Sequence, residues 1–438
     1  MKQVEQIICP KWLIKVDGRA EALTEHAVAI DQGKIIAVDK RDILLQQLQP
    51  ATTIELSNHA LIPGLVNAHT HAAMTLLRGY ADDMPLMDWL QEKIWPAESK
   101  WVSEGFIEAG TDLAIAEMIR TGTTCFNDMY FYPNVVAQRA EKHGMRACVG
   151  MIVIDFPTVW AANADEYISK GLQVRDELRH SSLVSTAFAP HAPYTVSEEA
   201  LKRILTLSDE LECQIHMHLH ETEFEIEQST AQFGMRPIER LDQMGMLSSR
   251  LSAVHMTQLL PAEIETLQNR GVQVVHCPQS NLKLASGFCP VAALSEAGVS
   301  VSIGTDGAAS NNDLDMIEEM RFASLLSKGE SGDPTAMNAY QSLEAATLGG
   351  AKALGLEETI GSIEPGKSAD LTAIDLNHLS TQPLFNAISQ IVYSSHGNQV
   401  TDVWIQGKQL LKNQLFTTIE SAELLSAAES WAEKIRGQ

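Results

Sequence analysis

The chain has 438 residues, more than one ordinary hydrophobic core serves, so one large barrel with additions or two to three domains are expected. Its 45% hydrophobic and 20% charged content is that of a soluble globular enzyme, while 56 acidic against 32 basic side chains give a formal charge of -24. That charge repels phosphate backbones and anionic membrane surfaces, which excludes free nucleic acid and membranes as expected partners.

Six scattered cysteines without paired spacing point to reduced thiols and a cytoplasmic location. The N-terminus shows no basic region followed by an apolar run, and no stretch has the length of a membrane span. Residues 1–60 read as short strands and turns, with Asp31-Gln32-Gly33 as a hairpin signal between two apolar runs. A similar pattern returns near the C-terminus, around 366–374 and 400–407. Neither end has strands enough for its own core, so the two are expected to pair into one β-sandwich domain made of 1–60 and 360–438.

Between them, residues 61–359 alternate strand-like and helix-like segments. Apolar β-rich runs fall at 60–67, 123–127, 147–154, 184–189, 214–219, 251–254, 272–275 and 299–303, with helical spacing in segments such as 104–120 and 197–211. Eight such alternations predict an α/β fold, a (β/α)8 TIM barrel, though periodicity alone also fits an open doubly wound sheet. The polar residues separate the two. His69 and His71 follow the first strand, His191 the fourth, and His218 and Glu221 the fifth. His255, His276 and Asp306 end the last three. In a barrel these strand ends converge on one cavity.

His69 and His71 flank a single residue, so both imidazoles lie on one strand face and can share a divalent metal. His216, His218 and His220 also share a face, and periodicity leaves the choice among them open; spacing to Glu221 favours His218. Other polar residues take plainer readings. His59 reads as a solvated loop residue and His276 as a partner for a buried backbone group. Cys277 and Cys289 read as buried hydrophobes, and Arg78 and Lys283 as scaffold ion pairs. The acidic run 221–227 reads, Glu221 apart, as a solvated helix start.

The sequence resembles the amidohydrolase superfamily in the branch that holds one metal by His-x-His, a fifth-strand His and an eighth-strand Asp, matched here by His69, His71, His218 and Asp306. No lysine ends the fourth strand, where two-metal members carry a bridging one. Within that branch it is most similar to 5'-methylthioadenosine/S-adenosylhomocysteine deaminases, through 74–83, Ile94-Trp95-Pro96-Ala97-Glu98, His220-Glu221-Thr222-Glu223, 280–287 and 304–312. The resemblance implies hydrolytic deamination of 5'-methylthioadenosine, S-adenosylhomocysteine or adenosine to the inosine analogue and ammonia. It implies one divalent metal per subunit, zinc ahead of iron or manganese, and a homodimer or homotetramer. Guanine, pterin or triazine chemistry on the same scaffold is the alternative, and a silent nucleoside-binding relative is the alternative from another class.

Deamination at C6 needs an activated water, a proton for ring N1 and a neutral leaving ammonia; a bound zinc lowers the pKa of water from about 16 to near 7. Asp306 can take the water's proton and His255 can hydrogen-bond the attacking oxygen. By resemblance Glu221 protonates N1 and passes a proton to the leaving amine. By resemblance too, Glu98 accepts from the ribose hydroxyls, and His191 contacts the nucleoside. Trp89, Trp95 and Met84 are expected around the thioether. Relatives that take S-adenosylhomocysteine hold its carboxylate with arginines. Arg146 is the rough match here, with a structural role at the opening of its strand as the alternative, and 155–160 offers no arginine, which favours methylthioadenosine.

Overall fold

Gln32 and Gly33 adopt φ of 49° and 75°, and this two-residue turn folds His26–Asp31 back on Lys34–Lys40. The computed structural model describes residues 1–437. The hairpin is one edge of an eight-stranded sheet that both chain ends build. From the other edge the order is Leu415–Phe416, Lys408–Lys412, Val400–Ile405, Leu371–Asp375, Leu48–Pro63, Lys2–Leu13, His26–Asp31 and Lys34–Lys40. The ends meet where Leu371–Asp375 runs antiparallel to Leu48–Pro63. Period-2 alternation sorts the apolar side chains. Ile8, Val28, Ile30, Leu61 and Trp404 pack in one cluster, and Val4, Ile7, Ala27, Ala29 and Leu44 in another. His59, expected in a loop, lies in Leu48–Pro63 opposite Asp375.

The apolar run at 60–67 is two strands rather than one. Residues up to Pro63 belong to the terminal sheet, and the first barrel strand is Leu65–Thr70. Gly64 makes the passage, donating its N–H to Asp370 O at 2.9 Å. A Cβ there would lie 2.0 Å from Thr124 Oγ1, so the two layers meet too closely for any side chain.

The other barrel strands are Thr123–Asp128, Arg146–Val153, Val184–Pro190, Ile215–Leu219, Leu251–His255, Gln273–His276 and Val301–Ile303, all parallel to their neighbours. Helices return the chain between them. Glu104–Arg120 and Glu198–Leu211 start where expected, each capped by a serine (Ser103, Ser197) that accepts a backbone N–H of the first turn. The eighth strand meets the first through residues just beyond it: Asp306 N donates to His69 O at 3.0 Å, and Thr305 N to Asn67 Oδ1 at 3.0 Å. Asn67 Nδ2 returns a bond to Thr305 Oγ1 at 2.7 Å. The barrel thus closes where two candidate ligands stand.

Arg146 opens the third strand, at the end of the barrel away from the histidines. It is buried and donates to Asp370 Oδ2 (2.7 Å), Ser182 O (3.1 Å) and Ser368 Oγ (3.1 Å). Its expected contact with a substrate carboxylate is therefore corrected: Arg146 ties the barrel to the terminal sheet.

Candidate active site and metal centre

His69, His71, His218 and Asp306 bring four ligand atoms within 4.8 Å of one another. Asp306 Oδ1 lies 3.1 Å from His69 Nε2 and 3.2 Å from His71 Nε2, and the His69 and His218 Nε2 atoms are 3.2 Å apart. Bonds of about 2.1 Å to a tetrahedral zinc put ligand atoms roughly 3.4 Å apart, close to these three separations. His71 Nδ1–H donates to Met129 O at 2.5 Å and His218 Nδ1–H to His191 O at 2.9 Å, which aims each Nε2 inward.

The electrostatics agree. Burial keeps His69 (lowered to about 4) and His218 neutral. His71 is raised to about 9: burial opposes its charge, but the hydrogen bond and charge of Asp306 outweigh it. Burial also opposes ionisation of Asp306, yet the bonds and charges of His69 and His71 hold its pKa well below the ordinary range. The proton on His71 Nε2 balances the Asp306 charge at this place, and a bound cation would displace it and free that nitrogen to ligate. The donor set and its spacing fit a divalent metal.

The three fifth-strand histidines separate in space. His216 Nε2 sits 2.9 Å from His69 Nδ1, one layer below the cluster, with Asn127 Nδ2 at 3.1 Å from its other nitrogen. His220 lies past the strand at φ 54° and turns away, with Nδ1 3.1 Å from Gln258 O and Nε2 accepting from Ile238 N. His276 is buried with Nδ1 unpartnered among the described residues, so the expected bond from it to a backbone group is not made.

Asp306 adopts φ 61°, and its Oδ2 accepts from Ser280 Oγ (2.6 Å) and Ser310 Oγ (2.8 Å), which turns Oδ1 to the cluster. His255 Nδ1–H donates to Asn281 Oδ1 at 2.8 Å; its ring stacks 5.4 Å from that of His218, with Nε2 3.8 Å from Glu221 Oε2. Glu221 is held by three elements. Its N–H donates to Glu225 Oε2 (2.9 Å), Thr257 Oγ1 donates to its carbonyl (2.6 Å), and Ser286 Oγ lies 3.4 Å from Oε1. Burial raises the Glu221 pKa, the positive field of His255 lowers it and Asp306 raises it again. Glu225 is not part of a solvated helix start. It is buried, accepts the amides of His220 and Glu221, and burial pushes its pKa up to about 8.

These groups open on a cavity of ≈ 500 Å³. Leu86, Trp89, Leu90, Ile94, Trp95 and Phe156 form its apolar side, with Trp95 and Phe156 edge to face at 6.3 Å. Met84 does not line it; Met84 packs half-buried against the core, and Leu86 takes the place expected of it. Glu98, His191 and Glu221 supply polar groups, and no lysine or arginine lines the cavity among the described residues. Burial and the neighbouring histidines lower His191 to about 3, so its ring is neutral. Tyr130, which the sequence reading missed, also lines the cavity and donates its hydroxyl to Glu98 Oε1 at 2.7 Å. Its place two residues past the end of the second strand was the available signal. Lys283 pairs with Asp82 at 2.6 Å and Arg78 with Glu117, the scaffold roles expected of them.

The family model described as Amidohydrolase family matches residues 60–410. The chain belongs to the amidohydrolase family. A 5-methylthioadenosine/S-adenosylhomocysteine deaminase of Teredinibacter turnerae is 48% identical over 424 residues, covering 97% of this chain and 96% of its own. The crystal structure of an adenosine deaminase from Xanthomonas campestris with bound zinc is 50% identical, covers 100% of both chains and superposes with a TM-score of 0.99. An atrazine chlorohydrolase from Arthrobacter aurescens, 20% identical over 97% of this chain and 99% of its own, reaches 0.89 and attests the shared fold. In this amidohydrolase the fourth strand ends in Pro190 followed by His191, with no lysine there, so the four grouped ligands describe a site for one ion.

Proposed function

We propose that this amidohydrolase hydrolyses the C6 amino group of 5'-methylthioadenosine, giving the inosine analogue and ammonia. The observation that carries the reading is the junction of two halves of one cavity. One holds the His69, His71, His218 and Asp306 cluster with Glu221 and His255 beside it; the other is apolar and has no cationic side chain among the described residues. We assign the cluster one zinc ion, which when bound supplies an activated water at neutral pH.

The residues of the chain do the rest. Glu221 moves the proton, first to ring N1 and then to the departing amine; its raised pKa lets it hold that proton between the two steps. His255, fixed by Asn281, directs Nε2 toward the reacting centre. Glu98 accepts the ribose hydroxyls, and His191 faces the nucleoside. Trp89, Trp95 and Leu86 exclude water around the thioether. S-adenosylhomocysteine would bring a zwitterionic tail whose carboxylate meets no lysine or arginine among the described residues lining the cavity, so the thioether without an amino-acid tail is favoured.

The relatives at 48% and 50% identity support adenine-type chemistry over triazine or guanine chemistry. The test is ammonia release from methylthioadenosine, S-adenosylhomocysteine, adenosine and guanine. Turnover of guanine with inert adenosines would overturn the reading, and equal kcat/KM for the two thioethers would overturn the preference. We place the enzyme in the cytoplasm as a homodimer or homotetramer; six free, buried cysteines are compatible with a reducing compartment, and light scattering measures the assembly.

A further inference from the structure

Glu98 sits on the short helix Trp95–Trp101, in the long connection after the first strand. A glutamate side chain has several rotatable bonds, so its position must be set by what holds it. Among the described residues one donor reaches its carboxylate, the Tyr130 hydroxyl at 2.7 Å. Tyr130 itself is buried and fixed to the barrel rim. Met129, its chain neighbour, donates to Thr70 O at 3.0 Å and accepts from His71 Nδ1. The Tyr130 ring packs 5.1 Å from Phe131 and 6.2 Å from His71. The bond therefore crosses from a rigid strand exit to a side chain on a loop-borne helix.

A carboxylate has about four lone-pair sites, and the tyrosine takes one of them on Oε1. Oε2 and the remaining site on Oε1 suit two adjacent hydroxyls that point the same way, as in a ribose cis-diol. We infer that Tyr130 is a positioning residue for ribose recognition: its hydroxyl fixes the Glu98 carboxylate as a two-point acceptor and thereby makes the enzyme selective for nucleosides with both ribose hydroxyls. The inference rests on the proposed role of Glu98. It goes beyond that role by naming the residue that makes it effective and the class of nucleoside it rejects. A tyrosine that only packs beside His71 would influence every substrate alike.

Tyr130→Phe keeps the ring and removes one oxygen, and Glu98→Gln removes the charge. Each zinc-loaded variant is assayed with 5'-methylthioadenosine and with 2',3'-dideoxyadenosine, and binding of 5'-methylthioinosine is measured by calorimetry. A hydrogen bond to a charged group is worth about tenfold or more in affinity. Tyr130→Phe is expected to raise KM for methylthioadenosine about tenfold with kcat within about twofold. It should weaken methylthioinosine binding by the same factor and leave KM for the dideoxynucleoside within about twofold. If Glu98→Gln separates the two substrates and Tyr130→Phe does not, the assignment of Tyr130 is overturned and the role of Glu98 stands. If Glu98→Gln fails to separate them, the role of Glu98 falls and the inference with it. Loss of bound metal in Tyr130→Phe would make the hydroxyl a scaffold group and also overturn the inference.

Discussion

Glu221 enters the cavity from a backbone amide that Glu225 holds, and its carboxyl is raised because burial penalises the charge. None of the four cluster ligands depends on its side chain for a hydrogen bond. Glu221→Gln should therefore retain one metal per chain while kcat falls 10²–10⁴-fold, roughly what a positioned acid-base group contributes. Metal analysis beside steady-state kinetics checks both halves, and an unchanged kcat would exclude Glu221 as proton carrier. Glu98 gives a pH signal. Burial raises it to about 7, against the lowering effects of the Tyr130 hydroxyl and the charge of His71. A carboxyl raised in this way is neutral below that pH and charged above it, and the charged form is the one that accepts two hydroxyls. KM for methylthioadenosine should rise roughly tenfold between pH 8 and pH 6 as Glu98 protonates. A KM that stays flat while kcat alone falls would put the titrating group elsewhere.

At the scale of strands and loops, Gly304 deserves a test because the barrel closes around it. A Cβ there would stand 2.7 Å from His69 N and 2.9 Å from His69 O, in the seam that sets His69 against Asp306. Gly304→Ala should lose about 1–3 kcal/mol of stability by overpacking and bind metal less tightly, read as a lower Tm and less metal after dialysis. Wild-type values for both would mean that the seam has slack. The same elements show what the sequence could convey. Eight strand positions were legible because buried parallel strands are apolar throughout, and the ligands because imidazoles at strand exits stand out from that background. The break at Gly64 was hidden, since 60–66 is apolar on both sides of it. The choice among His216, His218 and His220 was hidden too, because a period of two does not tell a residue inside the barrel from one at its rim. Glu225 read as part of a solvated acidic run, and Tyr130 had only its place just past a strand end to single it out. Their partners are a backbone amide and a carboxylate that pairing in space, rather than local pattern, brings to them.

For the molecule as a whole, the metal and the terminal sheet are expected to act on stability through different routes. Four ligand atoms converge from the first, fifth and eighth strands, so an ion there bridges the barrel across its closure. Chelation should lower Tm and zinc should restore it; at a thousandfold excess over Kd the difference is about 4 kcal/mol. Arg146 and Asp370 join barrel to sheet at the far end, with side chains 5% and 1% exposed, so removing one partner strands a buried charge. Arg146→Ala should cost about 3–5 kcal/mol in denaturant unfolding. The folded fraction should keep wild-type KM for methylthioadenosine and S-adenosylhomocysteine alike, because the guanidinium points away from the cavity. A selective rise in KM for S-adenosylhomocysteine would return Arg146 to the substrate site and contradict the orientation of the third strand. Equal KM values with a large loss of stability would assign the sheet the task of holding the barrel's lower rim while the chemistry proceeds at the upper one.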